Sequence, residues 1–374
     1  MQAVFAGGEV GLAAVIAIAI AVVVPVRVEA APDCDTTIRV LLEVRDSPMR
    51  LADRGRAHRF EVVADSRMRV DGVERSTWRG GAGASRLGGH RVPGVLSVFP
   101  QGEKLALVAE VPLEIYVAGV LMGEVPRAWE AEALRAQAVV SRSYGLHQRA
   151  ARARGPYHVE ANTRDQVFEL SEPAETLRKA VEATRCEVLT WRGRPILAAY
   201  HSASGGRTAS SQEVWGTGRA YLRSTEVKGE EVSPDTYWRT RVSRTTIGDA
   251  LAAIGRDVGD IWSAQVIGRS ESGRVLEIRI VGNLGDTRLS GSKFRMALGE
   301  SVLKSTLFEL SAEDGAFVFV GSGRGHGVGM SQWGAQAMAR RGVSYREILE
   351  RFYPGTKLRE WGRHFGDNEE FAGR

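Results

Sequence analysis

The sequence Leu121-Met122-Gly123-Glu124-Val125-Pro126 leads into the run Glu132-Ala133-Leu134-Arg135-Ala136-Gln137-Ala138. Proline suits the first turn of a helix, because its φ angle is already helical and its missing N–H group would have no partner there. The pattern predicts a helix from about Pro126 to Ala153, which Gly155-Pro156 ends. The repeated alanines indicate that another element packs closely against the backbone of this helix.

A glycine-rich segment near the C-terminus reads Gly323-Arg324-Gly325-His326-Gly327-Val328-Gly329-Met330-Ser331-Gln332-Trp333-Gly334-Ala335. Alternating glycines let a backbone approach a ligand or another chain segment closely. The spacing does not match a dinucleotide-binding or phosphate-binding loop. A helix is predicted from Gln332 to Arg341. His326 has two open interpretations: it is a hydrogen-bonded residue in a tight crossing, or it contacts a substrate.

The remaining sequence mixes short strands with helices. Residues 36–110 alternate apolar and polar positions in short runs separated by glycine loops, as is typical of β-strands. From residue 235 to 310 the pattern indicates a helix, a hairpin turning at Ser272-Gly273 and a second helix. The sequence predicts an α+β fold with a mixed core domain and a smaller inserted α/β subdomain. The predicted parts are an N-terminal segment at 1–30, the first part of the core at 36–234, the inserted subdomain at 235–310, the completion of the core at 311–363 and a flexible tail at 364–374.

The first thirty residues predict export from the cytoplasm. Val10 to Val26 is almost purely apolar, and Val28 and Ala30 are small residues at the flanking positions of a signal-peptidase site. Glu9 stands where a signal peptide usually carries a basic residue, so an uncleaved membrane anchor stays open as the alternative. We expect a location in the periplasm or at the cell surface, with membrane contact only through this segment if it is uncleaved.

The net charge of the 374-residue chain is +5. A basic exported protein suits an anionic polymer such as a cell wall, or a phospholipid surface. Nucleic acid is not expected as a partner, because the basic residues are dispersed and do not alternate with aromatic residues. The two cysteines, Cys34 and Cys186, are too few for a disulfide scaffold or a structural zinc site. They either pair, tying the N-terminal region to a central strand, or remain two unpaired thiols.

Glu124 is the candidate general acid. Its apolar neighbours predict poor solvation, which raises the pKa of a carboxyl group. Its place just before Pro126 predicts the opposite effect, because the N-terminal end of a helix dipole favours a carboxylate. A purely structural interpretation also stays open, in which Glu124 only caps the predicted helix.

Other polar residues lie in settings that need partners. Gln137 and Arg142 stand among small apolar residues of the predicted helix, so we expect them to support Glu124 or to bind a polar ligand. The segment from Ala199 to Thr208 leaves a strand and enters a Ser/Gly turn, which either presents N–H groups and hydroxyls to a ligand or is a plain hairpin loop. The seven histidines show no paired metal-binding spacing, so no metal is expected.

The chain resembles the stage II sporulation protein D family of peptidoglycan lytic transglycosylases and amidase enhancers. The resemblance is strongest at residues 111–144, 199–208 and 323–358. It implies an α+β protein with a substrate cleft, no cofactor, and a catalytic glutamate that corresponds to Glu124. On this basis the residues expected to bind substrate are Gln137, Arg142, Tyr144, His201, Ser202, Ser204, Gly205, His326 and Gln332.

The family's reaction fits the single carboxylate. Hydrolytic glycosidases generally need two carboxyl groups, and the sequence shows no obvious second one at a comparable turn. A lytic transglycosylase can use one acid, which protonates the glycosidic oxygen and then, as a base, takes the proton of the C6 hydroxyl group. The expected substrate is the MurNAc-GlcNAc bond of glycan strands, often strands stripped of peptides, and the product carries 1,6-anhydro-MurNAc.

Two implications of the resemblance remain separate from catalysis. Some family members bind zinc through cysteines just before a Gln-Val-Tyr motif. The matching stretch, Asn162 to Phe168, has no cysteine, so that zinc site is not expected here. The alternative function is a non-catalytic wall-binding protein that enhances an N-acetylmuramoyl-L-alanine amidase. The expected partners are therefore peptidoglycan glycan strands and, in the alternative, a cell-wall amidase.

Overall fold

The computed structural model describes residues 34–64 and 67–362. The predicted N-terminal segment at 1–30 and the predicted tail at 364–374 lie outside the described residues. The fold is α+β, as the sequence predicts, with helices and several separate sheets. Within the described ranges, no helix has both the length and the apolar character that are needed to cross a membrane.

The strands are β1 Thr37–Asp46, β2 Met49–Asp53, β3 Arg56–Ala64, β4 Arg67–Val70, β5 Val73–Arg75, β6 Trp78–Arg79, β7 Ser85–Leu87, β8 His90–Arg91, β9 Val95–Gln101, β10 Lys104–Pro112, β11 Val159–Glu160, β12 Glu187–Trp191, β13 Arg194–Pro195, β14 Tyr200–His201, β15 Trp238–Ser243, β16 Ile261–Arg269, β17 Val275–Gly282, β18 Gly285–Ser290, β19 Phe308–Glu313, β20 Ala316–Gly321, β21 Met330–Ser331 and β22 Lys357–Glu360. The helices are α1 Leu113–Glu124, α2 Ala131–Ala151, α3 Glu175–Ala183, α4 Ser211–Trp215, α5 Arg244–Ala253, α6 Gly291–Leu298, α7 Gln332–Arg340 and α8 Tyr345–Phe352, with a 3₁₀ turn at Glu230–Val232.

The first hydrophobic core surrounds α2. A five-stranded sheet with the order β11-β1-β10-β9-β6 contributes to it, and β1 is antiparallel to β10 and parallel to β11. Helix α2 is buried along an unbroken run from Ala136 to Leu146 and contacts α1, α3, α7, α8 and β12. Its small residues allow this close packing on several sides, as the alanine repeats predict.

The helix predicted to begin at Pro126 begins later. A separate helix, α1, precedes it and ends at Glu124, and α2 begins at Ala131. A residue before proline is pushed out of the helical region by steric contact with the proline ring. Val125 is accordingly extended, with φ −136° and ψ 145°. Pro126 therefore ends one helix, and a short connection leads to the next.

A second hydrophobic core draws on residues from Trp238 to Phe319. It includes side chains of two three-stranded sheets, with the orders β15-β20-β19 and β16-β17-β18, and of α5 and α6. The hairpin predicted to turn at Ser272-Gly273 is confirmed by β16 and β17. Strand β20 lies in the range 311–363 that is predicted to complete the core domain, but it pairs with β15 and β19, and Phe317 and Phe319 pack in the second core.

Several local features match the sequence patterns. Ser344 and Glu347 have the Ser-x-x-Glu spacing that is typical of a capping box, and they form the capping box of α8. Of the two options for the cysteines, the structure has the paired one: Cys34 and Cys186 form a disulfide with a Cα–Cα distance of 5.7 Å. This bond ties the first described residue to the start of β12, across 152 residues of sequence.

The glycine-rich segment forms a tight crossing. Strand β14 runs parallel to β21, and the segment between Gly323 and Gly329 passes over the chain that follows Ala199. A Cβ atom on Gly329 would lie 1.9 Å from the carbonyl oxygen of Ala199, and one on Gly325 would lie 2.8 Å from Cβ of His201. Both glycines also have positive φ angles, 73° and 102°. The backbone can cross here only because these positions carry no side chain.

Candidate functional site

A cleft of about 570 Å³ holds the candidate acid. Its walls include residues of the first core, the glycine-rich crossing, and α6 of the second core. Of the predicted site residues, it brings together Glu124, Tyr144, His201, Ser202, His326 and Gln332. A second groove of about 780 Å³ is lined by other residues of α1, among them Ile115 and Met122, but not by Glu124. We place the candidate site in the smaller cleft because Glu124 meets both His201 and His326 there.

Glu124 is the last residue of α1 and is half-buried. The expectation that a helix N-terminus favours its ionised form is wrong, because the residue lies at a helix C-terminus, where the dipole disfavours a negative charge. The capping interpretation is also wrong: the N-cap of α2 is Glu130, and no side chain makes a cap hydrogen bond there. Burial raises the pKa of Glu124 above its ordinary value, as the apolar neighbours predict.

Three hydrogen-bond donors lower the pKa of Glu124 and so oppose the effect of burial. The backbone N–H group of Val167 donates to Oε1 of Glu124 at 2.8 Å. Nε2 of Gln332 lies 3.5 Å from Oε2, and the hydroxyl group of Tyr200, which lines the same cleft, also lowers the pKa of the carboxyl group. Each of these contacts lowers the pKa of Glu124, but burial is the larger effect. The site can therefore hold the proton and still stabilise the anion that remains when the proton leaves.

The Val167 contact depends on a glycine in the quoted motif. A Cβ atom on Gly123 would lie 2.6 Å from Cγ1 of Val167 and 2.9 Å from its carbonyl oxygen. The segment around Val167 can therefore lie directly against the end of α1. Sequence reasoning treated this segment only as the position of an absent zinc site, and it missed the role of Val167 because a backbone donor leaves no signal in side-chain identity.

A chain of hydrogen bonds extends into the protein from Tyr200, which lines the cleft together with Glu124. Nε2 of Gln166 donates to the hydroxyl oxygen of Tyr200 at 3.2 Å, and the hydroxyl group of Tyr116 donates to Oε1 of Gln166. Gln166 and Tyr116 are buried. Sequence reasoning placed Tyr200 only at the end of a strand, and its link to Glu124 requires two segments 76 positions apart in the numbering to meet.

Two histidines contribute neutral rings to the cleft. His201 is buried and its Nδ1 lies 3.1 Å from the carbonyl oxygen of Val328, so Nδ1 carries the proton. Burial, followed by the nearby His326 and Arg274, holds the pKa of His201 well below its ordinary value. Burial also lowers the pKa of His326 to about 4. The ring centroids of the two histidines are 5.6 Å apart.

Trp215 extends this row of rings toward solvent. Its ring centroid lies 5.5 Å from that of His326, and the residue is 43% exposed. Met296 and Arg295, from α6, also line the cleft. Sequence reasoning did not select these residues, because an exposed tryptophan and a helix of the second core carry no pattern that points to Glu124.

The cleft contains two carboxylates besides Glu124, and both are paired with arginines. Asp165 accepts from Arg152 at 2.6 Å and from the hydroxyl group of Tyr144 at 2.7 Å. Glu300 lies 2.9 Å from Nη1 of Arg295. In the described part of the chain, no ion pair to Glu124 is present. Glu124 is therefore the carboxylate of this cleft that is free to exchange a proton.

Arg142 is buried and does not line the cleft, so the substrate contact predicted for it has no support in this geometry. Its side chain is 0% exposed, and Nη2 and Nε lie 2.6 Å and 2.9 Å from the two oxygens of Glu114. Its Nη1 donates to the carbonyl oxygen of Glu187. The need for a partner that the sequence predicts is real, but the partner is a carboxylate at the start of α1.

Gln137 is also buried and does not line the cleft. Its Nε2 donates to Ser141 at 3.1 Å, and its Oε1 lies 3.5 Å from Nε2 of Gln332. Because Gln332 contacts Glu124, Gln137 supports the site from behind. Of the two roles expected for Gln137, this geometry fits support of Glu124, and its contact with substrate stays a prediction.

The donors of the Ser/Gly turn are taken by the protein itself. Glu230 is buried and accepts from the backbone N–H groups of Ser204 at 2.7 Å and Gly205 at 2.9 Å, and from the Ser204 hydroxyl group at 2.6 Å. Ser331, at the start of α7, also donates to Glu230. Ser204 and Gly205 therefore do not line the cleft, and of the serines and glycines in this turn only Ser202 does.

The described residues include one cluster of three possible metal ligands, formed by Cys34, Glu114 and Cys186. The two sulfur atoms are joined in the disulfide, and both oxygens of Glu114 accept from Arg142. This donor set is therefore already occupied by protein groups.

The fold and the site define an α+β protein with a carboxylate-bearing cleft. A family model described as stage II sporulation protein matches residues 101–191, and a model described as a domain of unknown function matches residues 216–329. The stage II sporulation protein D of Bacillus amyloliquefaciens is 32% identical over 270 residues, which cover 68% of this chain and 76% of that protein. The chain belongs to the stage II sporulation protein D family.

The chain is also similar to two further proteins. An uncharacterized protein of Brachyspira hyodysenteriae is 30% identical over 289 residues, which cover 76% of each chain. The amidase enhancer of Bacillus subtilis is 28% identical over 285 residues, which cover 64% of this chain but only 40% of that protein.

Proposed function

We propose that this protein is a peptidoglycan lytic transglycosylase that cleaves the MurNAc-GlcNAc bond of peptide-stripped glycan strands. The observation that carries the proposal is Glu124, a half-buried carboxyl group with a raised pKa and no ion pair among the described residues. The two other cleft carboxylates are paired with arginines. This arrangement supports a reaction that needs one proton-exchanging acid rather than two.

The proposed reaction uses Glu124 twice. Protonated Glu124 donates its proton to the glycosidic oxygen, and the bond between that oxygen and C1 of the muramic acid breaks. The resulting carboxylate takes the proton of the C6 hydroxyl group, and O6 bonds to C1 to close the 1,6-anhydro ring. Glu124 ends in its initial protonated form, and no water is consumed.

The surroundings of Glu124 support both halves of this reaction. Burial raises the pKa of the acid and so keeps it protonated for the first step. The donors from Val167 and Tyr200 then stabilise the anion between the two steps. The predicted export segment at 1–30 and the Cys34–Cys186 disulfide, a bond typical of oxidising compartments, support action outside the cytoplasm.

The test is the formation of anhydro-muramyl ends, measured by mass spectrometry after incubation with glycan strands stripped of peptides and with intact peptidoglycan. We expect wild type to form these ends, most readily from the stripped strands, and Glu124→Gln to form none. Glu300→Gln is the matched control, because it changes another carboxylate of the same cleft and should retain activity. The proposal fails if wild type forms no anhydro ends, and the site assignment fails if Glu124→Gln is as active as wild type.

The alternative function, enhancement of a cell-wall amidase without catalysis, is favoured by the similarity to the Bacillus subtilis amidase enhancer. Adding the protein to an N-acetylmuramoyl-L-alanine amidase and intact peptidoglycan separates the two functions. If the protein is a non-catalytic enhancer, wild type and Glu124→Gln would raise the rate of peptide release by the amidase to the same extent. Neither of them would form anhydro ends.

A further inference from the structure

We propose that Gln166 is a positioning residue, which holds the Tyr200 hydroxyl group so that its proton points to Glu124. The inference deepens the proposed function and rests on it for its consequence in catalysis. Its geometric part can be tested separately from any reaction, because it concerns the orientation of one hydroxyl group.

The contacts of Gln166 define a direction for every proton in the chain. The carbonyl oxygen of its amide can only accept, and it does so from the hydroxyl group of Tyr116. The amide nitrogen can only donate, and it does so to the oxygen of Tyr200 at 3.2 Å. With its oxygen occupied by this donor, Tyr200 keeps its own proton for an acceptor in the cleft that it lines together with Glu124, and its hydroxyl group lowers the pKa of that carboxyl group.

This direction matters because a hydroxyl group can turn. An acceptor in the place of the Gln166 nitrogen would compete with Glu124 for the Tyr200 proton. Gln166 is buried, and Tyr116 is completely buried, so water does not reach this end of the chain of hydrogen bonds. The next residue, Val167, donates its backbone N–H group to the same carboxylate. Two adjacent residues thus act on Glu124: Val167 directly, and Gln166 through Tyr200.

Other charged groups face the cleft but do not replace this contact. Arg164, Asp165, Arg295, Glu300 and Arg324 line it, and the acidic residues among them are paired with arginines. His201 and His326 are neutral because burial lowers the pKa of each. The groups that lower the pKa of Glu124 are the donors from Val167, Tyr200 and Gln332. Changing the orientation of Tyr200 should therefore be visible in the titration of Glu124.

The test is the Gln166→Met variant, which keeps the length of the side chain and adds no charge. The pKa of Glu124 is measured by carbon-13 NMR of the glutamate carboxyl groups, and its signal is identified by its absence from Glu124→Gln. We expect Gln166→Met to raise this pKa by roughly one unit, because part of a hydrogen bond to the charged form is lost. In a Tyr200→Phe background, the same change should leave the pKa unaltered.

Gln336→Met is the matched control. Gln336 is also buried, and its Oε1 accepts from the backbone N–H group of Glu130, away from Glu124. This control should leave the Glu124 titration as in wild type. If Gln166→Met does not fold, Tyr116→Phe replaces it, because it frees the amide oxygen without changing the shape of the ring, and a rise is again expected.

Two results would overturn the inference. One is an unchanged Glu124 titration in Gln166→Met, and the other is a rise of equal size with and without the Tyr200 hydroxyl group. In the kinetic assay, the inference predicts that the alkaline limb of the pH dependence of kcat/KM moves to higher pH. A titration that responds as expected in a protein that forms no anhydro ends would contradict the proposed function alone.

Discussion

Val167 and Glu124 meet across 43 residues of sequence, through a 2.8 Å hydrogen bond from the Val167 backbone to Oε1 of the carboxylate. The contact requires Gly123, because any side chain there would collide with Val167. The carboxyl group is therefore buried against one segment and bonded by that same segment. These two effects oppose each other, and burial dominates the pKa.

The raised pKa predicts a cost in stability. Ionisation of Glu124 opposes folding, because the folded pKa lies above the unfolded one. The cost is absent below the unfolded pKa, about 4.3, grows as the pH rises from there toward the folded pKa, and levels off above it. We expect the free energy of unfolding of Glu124→Gln, relative to wild type, to increase between pH 4 and pH 7. Urea unfolding at both pH values checks this, and a relative stability that falls over the interval would contradict it.

We expect replacement of Arg142 to reduce the stability of the protein strongly and to change substrate binding little. Arg142→Met leaves Glu114 without its partner in a mostly buried place, which should reduce the free energy of unfolding by about 3 kcal/mol or more. The double variant with Glu114→Gln should recover part of this loss, because the unpaired charge is then absent. Denaturant unfolding measures both. An unchanged KM in the folded fraction is expected, and a large rise in KM would instead favour contact with substrate.

The disulfide predicts sensitivity to reducing agents. Cys34 and Cys186 close a loop across 152 residues, and native disulfides typically contribute about 2–4 kcal/mol. The double variant Cys34→Ser with Cys186→Ser should lose stability of this order. Reducing agent should destabilise wild type to the same extent and leave the variant unaffected. Equal stability of oxidised and reduced wild type would show that the bond contributes little.

The glycine crossing predicts a contrast between two alanine substitutions. Gly329→Ala combines a positive φ angle of 73° with a collision against the carbonyl oxygen of Ala199. Gly342→Ala has a similar φ angle of 81°, but nothing lies within 4 Å of the added atom. We expect losses of roughly 3 kcal/mol or more for the first and about 1 kcal/mol for the second. Thermal unfolding measures both losses of stability. Equal losses would mean that the positive φ angle alone determines the loss.

We expect replacement of Trp215 to weaken the binding of substrate. Its exposed ring lies beside His326 at the cleft, where it can stack on the apolar face of a sugar. Trp215→Ala should raise KM for stripped glycan strands roughly three- to tenfold, and Trp215→Phe less, if ring contacts of this kind contribute about 1 kcal/mol. Trp262→Ala is the control, because Trp262 is 61% exposed and does not line the cleft. An equal rise in both alanine variants would remove Trp215 from the binding surface.

Local chemistry was readable along the chain. The alanine-rich helix, the hairpin at Ser272-Gly273 and the capping box of Ser344 and Glu347 follow from preferences that act over a few residues. The apolar neighbours of Glu124 indicated the direction of its pKa shift, but the burial that raises the pKa comes in part from the distant segment around Val167.

The partners of the polar residues depended on the tertiary structure. Arg142 turns to Glu114, the donors of the Ser/Gly turn bind Glu230, and Tyr200 is placed between Glu124 and Gln166. A sequence pattern shows that a buried polar group needs a partner, but packing between distant segments selects which one. The helix end at Glu124 has the same origin in part: Pro126 forbids one continuous helix, and the contact with Val167 holds the carboxyl group where α1 stops.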